Sequence, residues 1–365
     1  MRQYLMAGWR LIKYSLAGLF LLAAILLVAS GRPIDDEIGH ILANAPTNIR
    51  PYAATGPSCT ELEEVAQETL ASVRPPPATA KFSAADRQAL AITAFGHLCE
   101  LAREVGWRQS ATKEERKAAK LLIDRFTEFG YSPEMQDFRV RIGPLWRKSS
   151  NIILELPGQG EGVVILGAHY DTVRSSVGAN DNASGVGVLL TLAERLAQPP
   201  WSSRMVSVLP FTLRFIAFGS EETGRNGSWH YVEQLTDAEL ADIRVMINFD
   251  SVGSGSHLYF RGPYDSQLTG YVSETVSTWL TWQVSETVNR EGVSVSAMGM
   301  REGWNISRSS DEAVFRFRGV PTIYFFGNYT ARANTQGDTI EFINPKLLGD
   351  AALLVLDLLA SLEDL

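Results

Sequence analysis

The chain is poor in the residue types that several common chemistries need. It has two cysteines, Cys59 and Cys99, in 365 residues, which excludes a thiolate zinc cluster, and neither sits in a recognisable Cys-His setting for thiol catalysis. If the protein is exported, the two could pair with each other. Basic residues are outnumbered 33 to 41 by acidic ones, for a formal charge of −8. That balance argues against a nucleic-acid partner, because phosphate binding relies on Lys and Arg. No Gly-rich loop ends in Lys-Ser or Lys-Thr, no Gly-x-Ser-x-Gly elbow occurs, and no internal repeat is apparent. Histidine is scarce too: His40, His97, His169, His230 and His257 are all there are.

What is present reads as a globular protein with a sizeable core, 45% hydrophobic and 20% charged. One segment stands apart. From Tyr14 to Gly31 there is no charge, and Arg2, Arg10 and Lys13 precede it. A run of this kind is long enough to span a bilayer, at ~20 residues per crossing, and the upstream basic residues orient the remainder outward. Ala29-Ser30-Gly31 offers a small-residue cleavage site, so the same segment also reads as a removed signal peptide. Either case exports the domain, to the extracytoplasmic face of the membrane or beyond it.

Residues 32–105 read as a helical stalk or appendage. A helix is expected at Glu61–Val73, a stiff break at Pro75-Pro76-Pro77, and another helix at Ala84–Val105. From residue 106 onward helix and strand alternate. KEERKAAKLLIDRFTEF has helical periodicity and stops at Gly130. Short apolar runs follow at Asn151–Leu156, Val163–Ala168, Leu213–Phe218, Val245–Phe249 and Thr322–Phe326. Helical stretches are expected at Ser184–Leu196, Gly227–Gln234, Ser266–Trp279 and Pro345–Leu362. Continuous apolar strands between helices predict an α/β domain over 106–365, with a mixed, largely parallel central sheet flanked by helices.

In such sheets ligands gather at the carboxyl ends of the strands. The run VVILGA ends at His169-Tyr170-Asp171, and the turn GANDNASG carries Asp181 into a helix. LRFIAF ends at Gly219-Ser220-Glu221-Glu222, and VMINF ends at Asp250. Taken singly, Asp181 could cap a helix, Glu221-Glu222 could be a solvated loop, and His169 could be a satisfied turn residue. Their coincidence on one edge of the sheet points to zinc, which takes imidazole nitrogen and carboxylate oxygen and leaves a position for water. Two ions can share one bridging carboxylate, and a carboxylate free of metal can take the proton from water. Glu221 beside Glu222 offers both jobs.

The motifs GAHYDTV, GANDNASGVGVLL, FIAFGSEETGRNGSWHYV, INFDSVG, SSDEAVFRFRGVPTIYF and NTQGDTIEFIN occur in this order. The chain thereby resembles the co-catalytic zinc exopeptidases of the aminopeptidase S and Y family, relatives of glutamate carboxypeptidase and glutaminyl cyclase. The resemblance implies the zinc exopeptidase, phosphorylase/hydrolase-like fold and a peptide substrate with a free N-terminus. It implies one or two zinc ions per chain: His169 and Asp250 on the first, Asp181 bridging, Glu222 on the second. Glu221 would be the general base, and Asp171 would orient the imidazole of His169. Ser310-Asp311 matches a family motif near the site. The departure lies before DTIEFIN, where the family has His-Thr and this chain has Asn334-Thr335. No histidine lies beyond position 257, which leaves His230 and His257 as the replacements to consider. A neutral amide is a weaker zinc ligand than imidazole. Three outcomes follow: a two-metal aminopeptidase with a weak second ion, a one-metal enzyme, or a silent binding domain. Cyclisation of N-terminal glutamine is the alternative chemistry. Met298, Met300 and Trp304, within a segment from Trp279 to Trp304, are candidate pocket walls.

Overall fold

The computed structural model describes residues 58–362, apart from 72, 175, 199–208, 263–273, 298–308 and 330. The expected membrane or signal segment, Tyr14–Gly31, lies outside the described residues, as do Met298, Met300 and Trp304. Among the described residues no helix is long and apolar enough to cross a membrane.

The chain runs α1 (Cys59–Ala71), α2 (Ala84–Glu100), α3 (Lys113–Glu128), β1 (Glu134–Ile142), β2 (Leu145–Leu156), β3 (Val163–His169), α4 (Gly185–Ala197) and β4 (Thr212–Phe218). It continues through α5 (Asn226–Glu233), α6 (Asp237–Asp242), β5 (Ile243–Phe249), β6 (Leu258–Arg261), α7 (Glu274–Glu291), β7 (Val295–Ala297), α8 (Glu312–Phe317), β8 (Thr322–Gly327) and α9 (Pro345–Leu359). The strands form one sheet in the order β1-β2-β4-β3-β5-β8-β6-β7. Its centre, β4-β3-β5-β8, is parallel throughout, and antiparallel pairings join it to β2 and β6.

The central strands are buried on both faces, so they carry continuous apolar runs; every residue of β3 is inaccessible. On one face Val164, Leu166, Ile247 and Phe325 belong to a core cluster shared with α2, α4 and α9, in which α4 meets β3 and β5. On the other, Ile165, Ile216, Phe218 and Met246 meet Tyr231 of α5 and Phe315 of α8. α9 is apolar on nearly all sides because it is enclosed, and burying each of its leucines contributes roughly 1.5–3 kcal/mol. Two glycines permit the close helix contacts. A Cβ at Gly349 would sit 2.8 Å from Ala91 Cβ, and one at Gly187 would sit 2.5 Å from the Ala94 carbonyl oxygen.

The local signals explain the helix ends. Ser83 and Asp86 form a capping box at the start of α2, and Thr112 accepts from the Glu115 N–H at the start of α3. α3 buries Ala118, Ala119, Leu122 and Phe126 on one stripe and is followed by Gly130 at φ +93°.

Three expectations need correction. Of the appendage expected at 32–105, the described part from residue 58 onward does not stand apart: it belongs to one compact unit with the described residues that follow, and Leu90, Ala94 and Leu98 of α2 lie in its main core. Of the helix expected at Ser266–Trp279, residues 266–273 lie outside the described residues, and the described helix, Glu274–Glu291, runs on past Trp279 with Leu280 and Val284 in the core. β1, β6 and β7 were not foreseen; they are flanking strands, and β1 alternates exposed residues with buried Phe138 and Val140. Cys59 and Cys99 form a disulfide that ties α1 to α2.

Candidate active site

Adjacent parallel strands bring their carboxyl ends to one edge, and the chemistry collects there. His169 is the last residue of β3 and is 1% exposed. Glu221 and Glu222 follow β4, and Asp250 follows β5. Ser220 and Ser251, beside them, both sit at φ +57°. A non-glycine residue pays of order 1 kcal/mol there and needs its surroundings to hold it. Ser220 is held by Glu115, whose Oε1 accepts from its N–H at 3.0 Å and its hydroxyl at 3.1 Å. Ser251 donates its N–H to Asn182 Oδ1 at 3.2 Å.

His169 Nε2 lies 3.2 Å from Asp181 Oδ1 and 3.6 Å from Asp250 Oδ2. One ligand atom from each of the three falls within 4.8 Å of the others, a spacing a single cation can occupy. On the other side of the ring, Nδ1 lies 3.6 Å from Asp171 Oδ1. Asp171 is fully buried and accepts the N–H groups of Glu221 at 2.8 Å and Glu222 at 3.2 Å, and the Ser110 hydroxyl at 2.6 Å. One carboxylate thus binds the Glu221-Glu222 turn and lies beside the imidazole, outside hydrogen-bond distance of its Nδ1. Asp181, Glu221, Glu222, Asp250, Tyr324 and Asn334 line a common cavity of about 340 Å³, with Ser251, Ser309, Phe326 and Ala333 completing its wall. A larger groove, about 820 Å³, lies along α1, Pro75–Pro77, α2 and the start of α9; it gathers no such set of donors.

The electrostatics are those of acids crowded out of water. Burial, then the charge of Asp181, pushes Glu222 up to about 9. Burial raises Asp311 to about 7 and Asp338 to about 6, and lifts Glu221 well above the usual carboxylate range. Asp181 is raised by burial and by Asp250. For His169 burial opposes the charged ring, but Asp250, Asp171 and Asp181 outweigh it and hold the imidazole well above its ordinary range. A divalent cation relieves both problems, since it neutralises the carboxylates and displaces their protons.

Three supporting residues escaped the sequence reading. Arg108 is fully buried and donates to the carbonyls of Tyr170 at 2.6 Å, Val177 at 2.6 Å, Gly106 at 3.0 Å and Gly178 at 3.0 Å. It ties together both ends of the loop between His169 and Asp181, and burial lowers it to about 10. Glu115 also accepts from Ser149 Oγ and Ala111 N. Asp338 accepts from Asn180 N and Asp181 N. The only sequence signals were a Thr-x-x-Glu helix start at Thr112 and the Asp of the DTIEFIN motif.

All seven sequence-derived site residues reach this edge: His169, Asp181, Glu221, Glu222, Asp250 and Asn334 by direct convergence, Asp171 just behind. Asp311 is buried close by, under the influence of His169 and Asp250. The replacement histidines do not reach it. His230 stacks on Phe138 at 5.2 Å, His257 packs edge-on to Tyr259 at 4.8 Å, and neither lines the cavity. Nor do the described residues between Trp279 and residue 297.

Comparison with known proteins places the chain in a family. The family model for peptidase family M28 matches residues 151–359. Aminopeptidase YwaD of Bacillus subtilis is 34% identical over 203 residues, covering 53% of this chain and 39% of that protein. The probable lipoprotein aminopeptidase LpqL of Mycobacterium tuberculosis is 38% identical over 122 residues, covering 33% and 23%. The chain therefore spans less than half the length of either relative. Among solved structures, the zinc aminopeptidase BSAP of Bacillus subtilis superposes with a TM-score of 0.61 at 20% identity, over 74% of this chain and 94% of that one. Glutaminyl cyclase of Porphyromonas gingivalis gives 0.57 at 22%, over 74% and 98%. At these identities the structural likeness speaks for the fold. The family match covers more than half of the chain and includes every strand-end acid described above, and so the chain belongs to peptidase family M28.

Proposed function

We propose that this protein is a zinc-dependent aminopeptidase acting on peptides with a free N-terminus on the extracytoplasmic side of a membrane. The observation that carries the reading is the convergence of His169, Asp181 and Asp250 within 4.8 Å, with Glu221 and Glu222 in the same cavity. The donor set fits the metal. One imidazole and two carboxylates suit zinc, and Glu222 Oε1 is buried without a hydrogen-bond partner at the cavity wall. His169 and Asp250 would hold a first ion, Asp181 would be shared, and Glu222 with Asn334 would face a second.

A bound zinc would supply Lewis acidity and a water of lowered pKa. The chain supplies the rest. Glu221 takes a proton from the attacking water and returns it to the departing amine. Its N–H is anchored on Asp171, so the base and the imidazole keep a fixed relation through the reaction. Tyr324 and Phe326 give the cavity an aromatic wall, and the surrounding carboxylates suit a protonated α-amino group. The disulfide supports export, because such bonds persist in oxidising compartments.

The test is the full-length chain purified in detergent, assayed for metal content and for hydrolysis of amino-acid p-nitroanilides. Glu221→Gln should lower turnover by about 10²–10⁴-fold with zinc content unchanged. Undiminished hydrolysis in that variant would end the assignment. Conversion of Gln-peptides to pyroglutamyl products, without hydrolysis, would transfer the site to cyclase chemistry.

A further inference from the structure

We infer that the Asp181–Glu222–Asn334 side of the cavity is an all-oxygen cation site, with a much smaller preference for zinc over hard divalent ions of the Mn²⁺ type than the His169 side has. The inference rests on the metal-centre reading above and deepens it, since it makes the two-ion centre a mixed one.

The His169 side offers an imidazole nitrogen with two carboxylates, a set that favours zinc. The other side offers the shared Asp181 carboxylate, the Glu222 carboxylate and the Asn334 amide, all lining one cavity. Carboxylate, amide carbonyl and water are the donors that suit Mg²⁺, Ca²⁺ and Mn²⁺. Glu222 Oε1 is buried and has no hydrogen-bond partner, so an oxygen donor is held ready there. Asn334 sits at φ +62°, a conformation Asn tolerates better than most residues, within the turn closed by Thr335 N–H to Arg332 O at 3.1 Å.

Among the described residues no imidazole other than His169, which belongs to the first position, is at hand to change that donor set. His97 is bonded to Glu194 at 2.8 Å, His230 is stacked on Phe138, and His257 is packed on Tyr259. The cavity is also roomy. About 340 Å³ leaves space for the several waters that hard ions retain, whereas a closed tetrahedral site would not. Zinc still outranks Mn²⁺ for most ligand sets. The consequence is therefore a compressed preference: zinc loses at this position the advantage that an imidazole confers, and abundant hard cations fill it.

The experiment uses full-length chain stripped by chelator, given one equivalent of zinc, and then titrated with Mn²⁺. Electron paramagnetic resonance counts the free Mn²⁺, and competition with added zinc gives the selectivity at the second position. One Mn²⁺ per chain should bind beyond the zinc. Glu222→Gln should abolish that uptake and leave the first zinc in place. Asn334→His should raise the zinc-over-manganese ratio at the second position at least tenfold. No Mn²⁺ uptake in the zinc-loaded chain overturns the inference, and so does an unchanged ratio in Asn334→His. Failure to hold the first zinc counts instead against the proposed function, and the Glu222-dependence of the Mn²⁺ signal then decides the inference by itself.

Discussion

Asp338 accepts the backbone N–H of Asp181 at 2.9 Å, and its other oxygen accepts that of Asn180 at 2.7 Å. The segment before α9 thereby fixes a carboxylate turn that lies 157 residues earlier in the chain. Asp338→Asn keeps the shape and loses the charge. It should weaken zinc binding, read by chelator competition, by about 10–100-fold, as removal of an outer partner of a metal ligand commonly does. Wild-type affinity in Asp338→Asn would show that the Asp181 turn holds its form unaided.

Glu115 sets a pH dependence. Burial, then Asp171, raises it from 4.5 to about 8 in the folded chain. Between those values the native state carries more protons than the unfolded one, so stability falls as pH rises. Metal-free protein should lose melting temperature from pH 5 to pH 8, and Glu115→Gln should flatten that slope. Parallel curves for the two proteins would exclude Glu115 as the source.

Among the described residues Arg108 meets four carbonyls and no carboxylate at hydrogen-bond distance. Arg108→Met would leave buried acceptors without donors, at a cost of about 1–3 kcal/mol for each one that water cannot reach. Denaturant unfolding should show a loss of at least about 2 kcal/mol, together with weaker metal binding because both flanks of the His169–Asp181 loop are released. A variant as stable as wild type would mean that water replaces the guanidinium.

The Cys59–Cys99 disulfide spans a separation of 40 residues and joins α1 to a helix of the main core. The double variant Cys59→Ser with Cys99→Ser should lose about 2–4 kcal/mol, with the catalytic edge intact. Equal loss of metal affinity and stability would place α1 and α2 in direct support of the site.

Much of the centre was legible in the sequence. The runs Val163–Ala168, Leu213–Phe218, Val245–Phe249 and Thr322–Phe326 were readable as strands because strands buried on both faces are dominated by apolar residues, as these four are despite Arg214 and Asn248. Their carboxyl ends then located His169, the Glu221-Glu222 pair and Asp250. In β1, Phe138, Val140 and Ile142 alternate with polar residues, the half-buried pattern of an edge strand, which no continuous apolar run marks. β6 and β7 are four and three residues long, too short for any period to register.

By itself the sequence determined the parallel core, the strand-end donors and the substitution of Asn334 for histidine, because each is written in residue type and local order. Tertiary structure decided the rest. Whether residues 59–105 were a stalk or part of the core depended on which surface α2 met, and Ala94 and Leu98 meet Gly187 of α4. The supports of the site, Arg108, Glu115 and Asp338, act on backbone N–H and C=O groups. Every residue carries those groups, so no residue type marks the target; only the folded path brings donor and acceptor together.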